Sequence, residues 1–235
     1  TLLGKYGEEG SKLLYRFQDN GGRDIALRYD QTVPFARVVA QYYNELSMPF
    51  KRYQISKVWR GDKPAKGRYR EFTQCDIDIV GTNSLVAEAE VAKVITDVFT
   101  ALGFDKSLVI KINSRKLINS IKEGVGITTD QRTNCLRSLD KLEKIGVAGV
   151  TDELVRIVSP DTAQQLLTIM TPAGNTQDCL AALAGYDTDE VAAFLATCRM
   201  FGIPDGTLQL VPSLARGLDY YTGIVYEVYL SDAPI

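Results

Sequence analysis

Residues 50–81, FKRYQISKVWRGDKPAKGRYREFTQCDIDIVG, constrain the fold more than any other stretch of the chain. They read as a strand, a basic loop and a second strand. Side chains in a strand alternate between faces, so Arg52, Gln54, Ser56, Val58 and Arg60 share one face of the first strand. Arg70, Phe72, Gln74, Asp76, Asp78 and Val80 share a face of the second. Between them residues 61–67, GDKPAKG, have the glycine and proline content of a turn-rich loop. One sheet face therefore carries cations, an aromatic ring, an amide and carboxylates. An antiparallel sheet can leave such a face in water, which makes the stretch an exposed hairpin. Alternatively the face is the floor for a charged, planar ligand. Cations would then meet phosphates, Phe72 would stack on a base, and carboxylates would meet an ammonium or a ring N–H.

The rest of the chain fits around this hairpin. Residues 13–18 and 23–28 pattern as antiparallel strands joined by the turn Asp19-Asn20-Gly21-Gly22. From Thr32 the apolar residues Val33, Phe35, Ala36, Val39, Ala40 and Tyr43 fall at helical spacing, with Thr32 as the expected N-cap and Pro34 in the first turn. Arg28, Asp30 and Thr32 thus sit where a strand hands over to a helix, which suits either a capped loop or ligand groups. Residues 84–102 read as one helix stopped by Gly103, and 108–113 as a strand. Strand signals then vanish. Helices are expected at 115–123, 130–145, 151–157, 161–170, 176–184 and 188–201, with capping boxes starting at Thr128 and Asp187. Strands return at 208–214 and 224–230 around a glycine-bounded turn holding Arg216, Asp219, Tyr220 and Tyr221. The expected fold is α+β, a mainly antiparallel sheet flanked by helices. Residues 1–113 and 207–235 would form its core and 114–206 a helical insertion.

Composition removes several function classes. With 235 residues, 45% apolar and 24% charged, the chain can bury a core of ordinary globular balance. Its net charge of -2 gives no global sign of nucleic-acid binding. It has no histidine, and Cys75, Cys135, Cys179 and Cys198 are scattered, so neither a Cys/His metal site nor a Ser-His-Asp or Cys-His nucleophile fits. Reduced thiols suit the cytoplasm, and no apolar run is long enough to span a bilayer. The start at Thr1, without an initiator Met, suggests a fragment.

Three motifs carry a family resemblance. Trp59-Arg60-Gly61-Asp62 with Arg68-Tyr69-Arg70-Glu71-Phe72 and Asp76 resembles motif 2 of class II aminoacyl-tRNA synthetases. GRYREFTQCDIDIVG is most similar to the hairpin of the histidyl-tRNA synthetase family. Residues 214–223, LARGLDYYTG, resemble its histidine-specific motif. Residues 27–37, LRYDQTVPFAR, resemble its amino-acid-binding segment, in a eukaryote-like form because Tyr29-Asp30 stands where bacterial members more often have Pro-Glu. Gln31 departs from the Leu usual in that form.

The resemblance implies activation of histidine by ATP and transfer of the product to tRNA(His). Arg60 would meet the α-phosphate, Phe72 the adenine, Arg68 the leaving phosphates and Asp62 the adenine amine. Arg216 would sit between the reacting carboxylate and the α-phosphate. Asp30, Thr32 and Gln74 would hold the ammonium of histidine, Asp78 and Tyr221 its ring, with Tyr220 beside them. Mg2+ would arrive with ATP. It also implies a homodimeric, cytoplasmic full-length parent, with an organellar copy as the variant. Most of motif 1, motif 3 and the anticodon-binding domain would lie outside this chain. Two non-catalytic relatives share such a fold: a regulatory subunit accompanying ATP phosphoribosyltransferase, and a tRNA-sensing domain of a stress kinase. The presence of Arg60, Arg68, Phe72, Gln74, Asp78, Arg216 and Tyr221 favours the enzyme.

Overall fold

A computed structural model describes residues 12–215 and 221–231, in a mixed α+β fold. The chain divides between Asn83 and Ser84 into two compact units. In the first, strands β1 (Arg16–Gln18) and β2 (Asp24–Ala26) form a small antiparallel hairpin closed by Asp19, whose carboxylate accepts the Gly21 and Arg23 N–H groups. Helix α1 (Thr32–Tyr42) follows, and of its apolar stripe Phe35 alone is buried. Gln31, not Thr32, occupies the N-cap position, and its side chain makes no cap bond. The capping role passes to Asp30, whose carboxylate accepts the Val33 N–H at 3.2 Å. An aspartate two residues further back reaches the exposed amide as well as Thr32 would have.

Strands β3 (Phe50–Trp59) and β4 (Glu71–Val80) form the long hairpin, in a register that sets Arg52 opposite Asp78, Ser56 opposite Gln74 and Val58 opposite Phe72. Gly81 closes it with φ 91°, where a Cβ would lie 2.5 Å from Met48 Sδ, so only glycine fits. The parity read from the sequence holds, but the solvated-hairpin reading does not. The polar face is the covered one. The opposite face, with Tyr53 at 78% and Ile55 at 64% exposure, is open.

The second unit starts with α2 (Leu85–Ala101), capped by the Ser84 hydroxyl. Strand β5 (Leu108–Ser114) is the centre of a three-stranded sheet, parallel to β6 (Leu208–Leu210) and antiparallel to β7 (Ile224–Leu230). One face of β5 is fully covered, with Leu108, Ile110, Ile112 and Ser114 buried, while on the other Val109 and Lys111 are half-buried and Asn113 is buried. Between β5 and β6 run α3 (Arg115–Gly124), α4 (Thr129–Leu139), α5 (Leu142–Leu154), α6 (Pro160–Met170), α7 (Thr176–Ala182) and α8 (Asp189–Met200). Their apolar faces meet in one core with Leu117, Ile121, Leu139, Leu154, Leu166 and Phe194.

Several boundaries differ from the sequence reading. The helix expected over 130–145 ends at Leu139, and α5 continues through the segment expected to start at residue 151, kinked at Gly146 where φ is 69°. The Thr128–Gln131 capping box forms, whereas Thr188 makes no side-chain cap. A box with no sequence flag forms instead at Asn175 and Asp178. Strand β6 stops at Leu210: Val211 still donates to the Ile112 carbonyl, but its own carbonyl accepts the Leu214 N–H, and the Ser114 N–H that would continue the ladder turns to Asn113 Oδ1.

Candidate functional site

The covered face of β3–β4 is built by cross-strand pairing and closed by the turn before α1. Gln31 is fully buried, and its amide donates to the carbonyls of Ser56 at 3.2 Å and Gln74 at 2.9 Å, which face each other across the hairpin. A leucine could not make this bridge, which gives the Gln31 departure a physical reason. Arg52 lies over the Phe35 ring at 4.1 Å and donates to the Gln54 amide oxygen and the Gln31 carbonyl. Its Nη2 stands 2.8 Å from Asp78 Oδ2 as an ion pair outside hydrogen-bond angles, with side chains 12% and 21% exposed.

Arg60 and Phe72 come together. The Arg60 guanidinium sits 5.2 Å from the Phe72 ring centre and 4.7 Å from that of Tyr29, and its Nε donates to the Tyr29 carbonyl at 3.2 Å. Asp30 lies within electrostatic reach of Arg60 and Asp76. Burial raises the Asp30 carboxyl above its ordinary pKa, opposed by the Val33 N–H and Arg60. Asp78 is raised by burial too, with Arg52 opposing and Asp76 reinforcing. In the loop, Arg68 pairs with Asp62 at 2.9 Å, the arginine 65% exposed, and Arg70 Nε donates to the Asp62 carbonyl. Thr32 begins α1, half-buried beside Asp30 and Gln31.

Four buried polar atoms on and under this face have no hydrogen-bond partner: Gln31 Oε1, Arg52 Nε, Gln74 Oε1 and Asp78 Oδ2. Each such atom costs about 1–3 kcal/mol if nothing binds it. Arg52 and Gln31 were not among the expected site residues. Arg52 was legible from its parity with Gln54, but its pairing with Asp78 required the register.

Tyr221 lies in the second unit, 47% exposed. It lines a cavity of about 260 Å³ with Glu88, Thr222, Gly223, Ile224, Val225 and Tyr226. Glu88 accepts the Tyr226 hydroxyl at 3.0 Å, and burial raises its carboxyl. Sequence pattern placed Glu88 on its helix and assigned it nothing more. Arg216 and Tyr220 lie outside the described residues. A larger cavity of about 570 Å³, lined by Val109, Thr176, Arg199 and Gly206, contains none of the expected residues. Among the described residues no cluster of His, Cys, Asp and Glu could hold a metal, and no helix is long and apolar enough to cross a membrane.

The family model of histidyl-tRNA synthetase matches residues 1–234. The chain belongs to that family. It is 40% identical over 244 residues to a histidine–tRNA ligase of Rhodopirellula baltica, covering 99% of this chain and 55% of that protein. To the histidine–tRNA ligase of Helicobacter acinonychis it is 44% identical over 252 residues, with the same coverage. The chain therefore spans about half the length of the curated relatives it matches. Among solved structures, histidyl-tRNA synthetase from Nostoc sp. superposes with a TM-score of 0.81 at 33% identity, over 92% of this chain and 52% of that one. A protein from Bacillus halodurans, described as an ATP phosphoribosyltransferase regulatory subunit/histidyl-tRNA synthetase, superposes at 0.80, over 95% of this chain and 59% of that one. At 19% identity that likeness shows the fold alone. Both named ligases are bacterial, and the eukaryote-like form expected from Tyr29-Asp30 is not shown by these relatives.

Proposed function

We propose that this chain is the larger part of the catalytic domain of a histidine–tRNA ligase, which forms histidyl-adenylate from histidine and ATP and passes histidine to tRNA(His). The observation that carries this is the covered hairpin face with its unpartnered buried atoms, in a chain 40% identical to such ligases. Buried polar groups in folded proteins are nearly all hydrogen-bonded, so an orphaned one calls for a partner from outside the chain, which bound histidine and ATP would supply.

Both reactants are anionic, so activation needs cations that align the attack and neutralise the α-phosphate. Arg60 suits this role because its planar fork holds phosphate bidentately, and two aromatic rings and a carbonyl already restrict it. Phe72 would present its ring to the adenine. Arg68 would reach the leaving phosphates, and leaving Asp62 costs little, since a mostly exposed pair is worth about 0–1 kcal/mol. Asp62 would then be free for the adenine amine. Arg216 would meet the reacting carboxylate. Mg2+ would enter bound to the ATP phosphates.

Histidine would be held by groups with acceptor capacity to spare. Gln74 Oε1, unpartnered now, and the Asp30 carboxylate, which accepts the Val33 N–H through Oδ1, would accept from its ammonium, with Thr32 beside them. Asp78, kept near its place by Arg52, would accept a ring N–H. The family resemblance assigns Tyr220 and Tyr221 to histidine as well. Residues 114–206 would act as a helical insertion that helps hold the tRNA acceptor stem. A cytoplasmic homodimer is the expected form of the full-length parent.

The test is ATP–pyrophosphate exchange by the full-length parent across the twenty amino acids. Histidine alone should support exchange, and Arg60→Ala should lower its rate by about a hundredfold or more, as for loss of a charge-stabilising donor. Exchange that is equal in Arg60→Ala, or absent with histidine, refutes the assignment and leaves the non-catalytic alternatives.

A further inference from the structure

The junction of β5 and α3 makes contacts that neither the sheet nor the helix requires. Asn113 and Ser114 are fully buried and Arg115 is 6% exposed. Asn113 Nδ2 donates to the carbonyls of Pro212 at 2.7 Å and Leu214 at 3.0 Å, and its Oδ1 accepts the Ser114 N–H at 2.8 Å. Both amide donors and the acceptor are thereby used. Arg115 grips a second stretch of chain. Its backbone N–H donates to the Gly223 carbonyl at 3.0 Å and its Nε to the Tyr221 carbonyl at 3.2 Å. Ser114 between them donates to Glu190 of α8 at 2.5 Å, and Glu190 is paired with Lys116 at 3.1 Å. Three consecutive residues thus tie the core of this unit to residues 212–214 and 221–223.

We infer that Asn113 and Arg115 are positioning residues for histidine recognition, which fix the backbone at Tyr221 and on the approach to Arg216; this rests on the activity proposed above. The physical need is plain. β6 ends at Leu210, and the Pro212 and Leu214 carbonyls beyond it have no strand partner. Tyr221 precedes β7, so its carbonyl lacks a strand partner as well. A charged group is expensive to bury, so a guanidinium at 6% exposure persists where its donors are used. Lysine would keep the charge but has no Nε at the position that meets Tyr221. An error of about 1 Å in a positioning group is enough to lower turnover or affinity markedly.

The experiment uses the full-length parent with Arg115→Lys, Arg115→Met and Asn113→Ala. Exchange kinetics should show histidine KM raised about tenfold in each, as for loss of one hydrogen bond to a charged or buried group, with ATP KM within about twofold of the parent. Arg115→Lys should fail as Arg115→Met does. Hydrogen exchange should quicken in residues 211–215 and 221–225 and stay unchanged in the β3–β4 hairpin. A histidine KM restored by Arg115→Lys, a parallel rise in both KM values, or unchanged exchange over those residues overturns the inference. A parent inactive with histidine overturns the activity reading instead, and the exchange measurement still decides whether the clamp exists.

Discussion

Replacing Arg52 by Met should reveal how the hairpin tolerates its own buried charge. The change removes the ion pair to Asp78 at 2.8 Å, donors to Gln54 and to the Gln31 carbonyl, and the cation over Phe35. Methionine fills the stem volume, so the cavity contribution is small. Breaking a fully buried pair costs about 3–5 kcal/mol, because the remaining charge is left without compensation. Side chains 12% and 21% exposed keep some solvent contact, which places the expected loss near the lower end, about 3 kcal/mol. The pH dependence supplies a second signature. Burial holds the Asp78 carboxyl above its ordinary pKa while Arg52 pulls it down. Without Arg52 only burial and Asp76 act, and both push upward. A carboxyl raised in the folded state binds its proton more tightly there than in the unfolded chain. Its favourable contribution is complete below the unfolded value of 3.8 and is lost as pH rises through the folded value. The Arg52→Met deficit should therefore be largest at pH 7 and shrink on acidification towards pH 4. Urea unfolding of parent and variant at both pH values measures this. A deficit equal at the two pH values would refute the reasoning, because Asp78 would then be answered by solvent rather than by Arg52.

Two further outcomes test neighbouring claims. Asp78→Asn should weaken histidine binding to the full-length parent by about 1.5–3 kcal/mol, with ATP binding little changed, and Tyr221→Phe should cost less; calorimetry showing equal losses for both ligands would remove Asp78 from ring recognition. Lys122 is 3% exposed, and burial first, then Arg132 and Arg115, push its pKa down from 10.5 to about 8. The unfolded chain holds the proton that the folded one releases, so stability should rise between pH 8 and 10.5, by up to about 3 kcal/mol, and Lys122→Met should flatten that rise; identical slopes in the two proteins would show the ammonium to be solvated.

Much of the fold was legible because it depends on local pattern. Alternation gave both hairpin strands to within a residue, and the strand at Leu108 and the helix over Leu85–Ala101 followed from apolar spacing. What failed depended on single backbone angles or on partners distant in sequence. Gly146 allows the left-handed turn that kinks α5, and nothing in its neighbours distinguishes it from a tolerated helical glycine. The Asn175–Asp178 box uses an aspartate at the third helical position, outside the Ser/Thr-to-Glu/Gln pattern. The strand expected over 208–214 stops at Leu210 because Asn113 takes the Ser114 N–H and the Pro212 carbonyl, the latter a contact across 99 residues.

The candidate site shows the same division at higher stakes. Parity grouped Arg52, Gln54, Ser56, Phe72, Gln74 and Asp78 on one face, and the register turned that set into particular pairs, Arg52 with Asp78 and Ser56 with Gln74. Which face would be covered could not be read from the strands. Tyr53, Ile55 and Ile77 are the more apolar set, and burial by hydrophobicity alone would have turned that set inward. The decision comes from Gln31, twenty-five residues before Ser56, whose amide reaches over the polar side and ties both strands together. Covering that side leaves buried polar atoms without partners while apolar side chains stand in solvent. Both features oppose stability in this chain taken alone. If the polar face binds histidine and ATP as proposed, the ligands supply the partners those buried atoms lack, and this orientation of the hairpin is the one that function requires.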